Sequence, residues 1–192
     1  MPTYKSNAKK IIGNLSKKFN RLSKVEMDKI TRTAALTLEA DIKNRVFQDG
    51  EASNESLIGN YSEKDMLVGS KSFILKGVAN KLLGSKGKRR KLQWVTKNGK
   101  KLAVLPGGYK TLRSLQERQV QKVDLHMTGK LLKDFTMIGK NANYFLGFTS
   151  EYGKTISLAQ EERFGKRIFA STDTERKMIV KLFKGGINLV LQ

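Results

Sequence analysis

Apolar residues along this chain recur with two different periods, and the switch between them marks out its elements. Ile11, Ile12, Leu15, Phe19 and Leu22 fall on one helical face with lysines opposite, which predicts a first amphipathic helix. Ser23-Lys24-Val25-Glu26 then has capping-box spacing, with a hydroxyl at the N-cap and a carboxylate three residues on. Behind it Ile30, Ala34, Leu38, Ile42 and Val46 repeat every four residues, the stripe of a long core helix that Asp49-Gly50 stops. Residues 50–70 are polar and rich in Gly, Ser and Asn, and read as an extended loop. Residues 91–95 and 101–105 flank Asn98-Gly99, a pair that tolerates the positive φ of a type I′ turn, so they predict a β-hairpin. Pro106-Gly107-Gly108 ends its second strand, and residues 109–119 read as a short polar helix with Leu112 and Leu115 inward.

From residue 120 the pattern is mixed. Val123, Leu125 and Met127 alternate with Asp124, His126 and Thr128, the pattern of a half-buried strand ending at Gly129. Residues 131–138 and 144–148 flank a polar Gly-Lys-Asn-Ala-Asn turn and predict a second hairpin. Ser157-Leu158-Ala159-Gln160 has capping-box spacing and opens a short helix that Gly165 closes. Thr172-Asp173-Thr174-Glu175 leads another, with Met178, Ile179, Leu182 and Phe183 inward; Gly185-Gly186 ends it, and residues 187–191 form a closing strand. The expected fold is α+β: N-terminal helices packed on a small antiparallel sheet, an inserted basic hairpin and short C-terminal helices. Residues 1–22 form a basic arm or helix, and residues 23–192 a single domain with an extended insertion at about 50–110.

Charge sharpens this division. The net charge of +21 is concentrated in two stretches that contain no acidic residue. Seven Lys/Arg precede Glu26, among them Lys9, Lys10, Lys17, Lys18 and Arg21, and thirteen more lie between Asp65 and Glu117. The rest of the chain is close to neutral, so the pattern is a folded body with a basic arm and a basic insertion. Packed like charges repel unless a polyanion or an acidic surface compensates them. The chain has no Cys, which excludes disulfides, thiolate nucleophiles and cysteine metal sites. No apolar run approaches the roughly 18 residues of a membrane helix, so no membrane partner is expected.

Catalytic chemistry finds little support. His126 is the only histidine, and Asp124 two residues before it is a same-face strand neighbour. Gly84-Ser85-Lys86-Gly87-Lys88 lacks the glycine and the hydroxyl of a phosphate loop, since Leu82 and Arg89 stand in their places. Glu161-Glu162 and Asp173 with Glu175 are explained by helix surfaces and caps. No enzyme activity, metal or cofactor is expected. The insertion is more informative. Lys86, Lys88, Arg89, Arg90, Lys91, Lys97, Lys100 and Lys101 cluster around a hairpin that carries the only tryptophan, Trp94. Such a cluster neutralises phosphates while the aromatic ring stacks on a base or sugar. It equally suits a contact with an acidic neighbouring subunit, or a solvated face with Trp94 in the core.

The C-terminal half carries a resemblance. Val123-Asp124-Leu125-His126-Met127-Thr128-Gly129-Lys130-Leu131-Leu132, then Phe145-Leu146-Gly147-Phe148-Thr149, then Glu162-Arg163-Phe164-Gly165-Lys166-Arg167-Ile168-Phe169 and the capped helix from Thr172 are similar in order to the virion-morphogenesis and tail-completion proteins of tailed bacteriophages. The long helix running into Asp49-Gly50 resembles their first helix. Lys166-Arg167-Ile168-Phe169 departs from the proline-rich Pro-Ala-Arg-Pro-Phe that many members carry there. The resemblance implies a structural protein of the virion, located in the head-to-tail neck and assembled in the bacterial host cytoplasm. It implies homo-oligomeric rings that contact portal or adaptor and tail proteins, with nonspecific contact to DNA in the channel. Composition alone favours a rival, a cytoplasmic nucleic-acid-binding protein that uses the basic arms.

Overall fold

The computed structural model describes residues 24–69, 93–126, 129–140 and 143–191. The predicted helix over residues 11–22 and the cap residue Ser23 lie outside them. The fold is α+β, with an N-terminal helix, a small antiparallel sheet, a separate β-hairpin and further helices. It forms two compact units: Leu57–Val123, and the segments on either side of it.

In the unit built from the flanking segments, α1 (Lys24–Lys43) runs on into a π-helical turn, Asn44–Asp49. Ala34, Ile42 and Val46 of the predicted stripe are buried, and the wider turn adds Phe47 to the same face. Gly50 stops the helix in the left-handed conformation, φ 69°, which a residue without Cβ adopts at little cost. Further elements are α2 (Lys130–Asp134), a hairpin of β1 (Phe135–Lys140) and β2 (Asn143–Phe148), α3 (Glu151–Phe164) and α4 (Asp173–Leu191). The hairpin pairs Phe135 with Phe148 at its open end. Those two rings, Phe47 and Phe169 form an aromatic cluster with centroids 4.9–6.2 Å apart, Phe148 and Phe169 meeting edge to face. Two side chains of α1 hold the hairpin: Glu39 accepts the Met137 N–H at 2.8 Å, and Asp28 accepts the Tyr144 hydroxyl at 2.6 Å.

Several local expectations are corrected. Residues 123–126 form no strand, because Asp124 accepts the His126 N–H at 2.9 Å in a tight side-chain turn and Leu125 takes φ 48°. The first arm of the second hairpin begins only at Phe135, since Gly129 at φ 74° turns the chain into α2 first. Helix α3 starts at Glu151, six residues before the expected cap. Its N-cap is Ser150, whose Oγ accepts the Gly153 N–H at 3.0 Å, while Ser157 sits inside the helix and donates back to the Lys154 carbonyl. Gly165 closes it as expected, at φ 61°. The Thr172 box is present in both directions, with Glu175 N–H to Thr172 Oγ1 at 3.0 Å and Thr172 N–H to Glu175 Oε2 at 2.8 Å. Gly185-Gly186 does not end α4, and no closing strand follows. The helix continues to Leu191 because Gly186 lies against Ile30 of α1, where a Cβ would sit 3.0 Å from that side chain. The C-terminal helices are therefore 14 and 19 residues long rather than short.

Among the described residues the unit Leu57–Val123 is a three-stranded antiparallel sheet with one helix. Strand β3 (Met66–Gly69) lies within the segment read as loop, because it pairs with a strand almost forty residues downstream. The predicted hairpin forms as β4 (Trp94–Lys97) and β5 (Lys100–Leu105), in the order β3-β5-β4. Asn98 at φ 50° and Gly99 at φ 68° make its turn. Helix α5 (Gly108–Leu115) ends four residues before the expected end and packs Leu112 on Val68, Ala103 and Leu105, with Leu115 and Tyr109 at the rim. Gly108 has φ 57°, and a Cβ there would lie 2.1 Å from the Lys64 carbonyl oxygen, so only glycine fits.

Candidate functional site

The basic hairpin is the site whose side chains the sequence singled out, and the structure describes its distal half. Strand alternation and the register Trp94↔Ala103, Thr96↔Lys101 put Trp94 and Lys101 on one face, beside Ala103. That face carries the core of the unit further along, where α5 covers it. Trp94 nevertheless stays 43% exposed, which overturns the reading of it as a core residue. Lys101 holds its ammonium 5.2 Å from the Trp94 ring centroid, a cation–π contact that leaves part of the ring open to solvent. Lys97 and Lys100 stand directly opposite each other at the turn and are both exposed. Like charges directly opposite in a cross-strand pair repel, so the two lysines destabilise this end of the hairpin as long as both face solvent. Lys86, Lys88, Arg89, Arg90 and Lys91, and all of Lys9, Lys10, Lys17, Lys18 and Arg21, lie outside the described residues.

Other cations of the same stretch are engaged in holding their own unit together. Lys110 pairs with Glu63 at 2.6 Å, and Arg113 is buried, donating to the Gln119 carbonyl at 3.0 Å with its guanidinium 4.5 Å from the Tyr61 ring centroid. The insertion is thus not uniformly a solvated face. Its inner end is structural, and its distal end presents Trp94, Lys97, Lys100 and Lys101.

Of the carboxylates weighed as catalytic candidates, Glu161, Asp173 and Glu175 are likewise occupied, and Glu162 is exposed on α3. Glu161 accepts the N–H groups of Ile168 and Phe169 at 2.7 and 3.1 Å, which fixes the loop after α3. Asp173 pairs with Arg176 at 3.2 Å. Glu175 belongs to a buried network that no sequence signal disclosed. Arg45, in the π-turn, donates to its Oε1 at 2.8 Å, to the carbonyls of Ile168 and Ala170 at 3.1 and 2.8 Å, and to that of Glu51 at 3.0 Å. Asp41 borders this network with Oδ2 buried and unpaired; burial raises its carboxyl above the ordinary aspartate range, and the Glu175 charge raises it further. Asp134 shows the opposite sign. Hydrogen bonds from Ser150 and Thr149 at the start of α3 hold its carboxyl below the ordinary range.

Among the described residues no group of three or more His, Asp or Glu side chains is placed to hold a metal ion. No helix among them is long and apolar enough to cross a membrane. His126 lies in the loop before α2, exposed, with its backbone N–H on Asp124. Comparison with family models, with curated proteins and with solved structures finds no match to this chain.

Proposed function

We propose that this protein is a structural component of a tailed-phage virion, a neck or tail-completion subunit that assembles into a homo-oligomeric ring around the DNA channel. It acts by binding and placement rather than catalysis, and its partners are further copies, portal or adaptor and tail proteins, and the passing DNA. In the finer reading of the fold, the long helices and the second hairpin form the body, and the basic hairpin and N-terminal segment are the arms that reach its neighbours. The observation that carries this reading is the combination, in one small protein, of an exposed cationic hairpin end with large apolar side chains left in solvent. Phe145 is 64% exposed, Leu158 66% and Leu189 74%. Leu189 shares its face of α4 with Leu182, 40% exposed, and a row of apolar side chains left open along one helix face is a surface for a partner. The resemblance in motif order to tail-completion proteins supports the particular assembly. Quantitative mass spectrometry of purified particles tests it: a fixed copy number per portal ring is expected, and absence from the particle refutes it.

A second reading has its own support. Trp94 with Lys101 beside it, and Lys97 and Lys100 at the turn, form a platform suited to stacking on a nucleotide while neutralising phosphates. Under that reading the free protein binds duplex or RNA with a steep salt slope. Replacing Lys97, Lys100 and Lys101 by Glu then flattens that slope by roughly 0.9 for each phosphate these lysines neutralise. Binding unaffected by the triple replacement rejects the hairpin as the nucleic-acid site.

A further inference from the structure

Two helices of the unit that flanks Leu57–Val123 each carry a second face that stays mostly exposed, with Met178 partly covered at the start of the one on α4. Helix α4 packs on α1 through the row containing Ile179, Phe183, Gly186 and Val190, all at least partly covered. The neighbouring row is Met178, Leu182, Gly185 and Leu189, with the same i, i+4, i+7, i+11 spacing. Leu182 is 40% and Leu189 74% exposed, and a Cβ placed on Gly185 would meet nothing within 4 Å. A glycine inside a helix weakens it, and no contact among the described residues accounts for its small size. Beside this row runs a ridge of exposed Lys177, Lys181 and Lys184.

The outer face of α3 carries carboxylates around a single exposed leucine. Glu151, Thr155, Leu158 and Glu162 follow the same spacing over the same eleven-residue rise, all exposed, with Tyr152 next to them. Its two glutamates bracket Leu158. Glu151 also touches Lys154 at 3.4 Å, in a contact exposed enough to exchange partners. Both faces are open to solvent, so neither covers the other within one chain. They match in length and spacing, and the α3 face offers the lysine ridge two carboxylates, with Lys154 and Arg163 exposed beside them.

We propose that the Met178–Leu189 face of α4 seats on the Glu151–Glu162 face of α3 of a second copy, with Leu158 entering the notch at Gly185 and the lysine ridge meeting the two glutamates. Joining two different faces makes the contact heterologous, so each copy keeps one free α3 face and one free α4 face and the assembly propagates until it closes. This rests on the ring reading above and specifies which surfaces build the ring.

The test uses the full chain and sedimentation velocity over a wide concentration range, with far-UV circular dichroism as a check on folding. Wild type is expected to associate beyond a dimer. Leu158→Glu blocks the α3 face and Leu189→Glu the α4 face, so each variant alone should be monomeric. Mixed in equal amounts they should form a dimer and go no further, because one intact face of each kind remains. Gly185→Leu should abolish association while keeping or raising the thermal stability of the monomer, since leucine is the better helix former. A wild type that stays monomeric at every concentration overturns the proposal, and so do variants that still associate, or blocked variants that do not pair on mixing. The copy number in purified particles answers separately for the ring reading. A protein present at ring stoichiometry whose blocked variants still assemble would sink this interface and leave that reading standing.

Discussion

Arg45→Met tests the buried network that joins the turn after α1 to α4. The Arg45 and Glu175 side chains are 8% and 9% exposed, and the guanidinium serves one carboxylate and three carbonyl oxygens at 2.8–3.1 Å. Replacing it with an apolar side chain of similar length keeps the packing but leaves the Glu175 charge buried beside Asp41. Removing one partner of a buried pair costs about 3–5 kcal/mol. Glu175→Gln should cost less, about 1.5–3 kcal/mol, because an amide still completes the capping box with Thr172 while losing the charge-assisted bond. In the double variant no uncompensated charge is left at either position. Its loss should therefore fall short of the sum of the single losses by about 1–3 kcal/mol. Urea unfolding followed by far-UV circular dichroism reads all three. With a slope of about 2 kcal/mol per molar, Arg45→Met lowers the midpoint by roughly 2 M. A loss below about 1 kcal/mol, as for an exposed pair, would refute the argument, and so would strict additivity in the double variant.

Three further outcomes follow from the same geometry. Asp41 has its folded pKa raised, so it binds its proton more tightly folded than unfolded and disfavours folding once pH rises above the ordinary aspartate range. Asp41→Asn should therefore be more stable than wild type near neutral pH, with the gain shrinking as pH falls through the acid range; a gain that is constant with pH refutes the assignment. Asp134 has its pKa lowered, so its contribution is present above the ordinary aspartate range and lost as pH falls through the depressed value. The stability gap between wild type and Asp134→Asn should accordingly close in acid, measured by thermal unfolding across a pH series. Gly108→Ala forces a side chain into the left-handed region and onto the Lys64 carbonyl, a cost of roughly 2–4 kcal/mol. Fluorescence of Trp94, the only tryptophan, reads that loss in its own unit, and a change under about 0.5 kcal/mol contradicts the packing.

What the sequence determined by itself is what a few neighbouring residues settle among themselves. Asn98-Gly99 makes its turn, Asp49-Gly50 stops its helix, and Thr172 with Glu175 caps another, because each involves backbone conformations and hydrogen bonds within about four residues. The stripe through Ala34, Ile42 and Val46 is legible for the same reason, as the face it buries is set by helical geometry alone. Lys97, Lys100 and Lys101, cations with no acid near them in sequence, are exposed, whereas Arg113 of the same acid-free stretch is buried, so the charge pattern alone does not sort one from the other. Tertiary structure decided the rest wherever a distant group outweighed a local preference. Gly185-Gly186 continues as helix because Ile30 packs against it, and Met66–Gly69 becomes a strand because β5 supplies its hydrogen-bond partners. Glu175 reads locally as a cap residue, and only the approach of Arg45, 130 positions away in sequence, makes it the anchor of a buried network. Local periodicity carries no information about which exposed row of α4 or α3 finds a partner. That depends on which faces the packing of one chain leaves open.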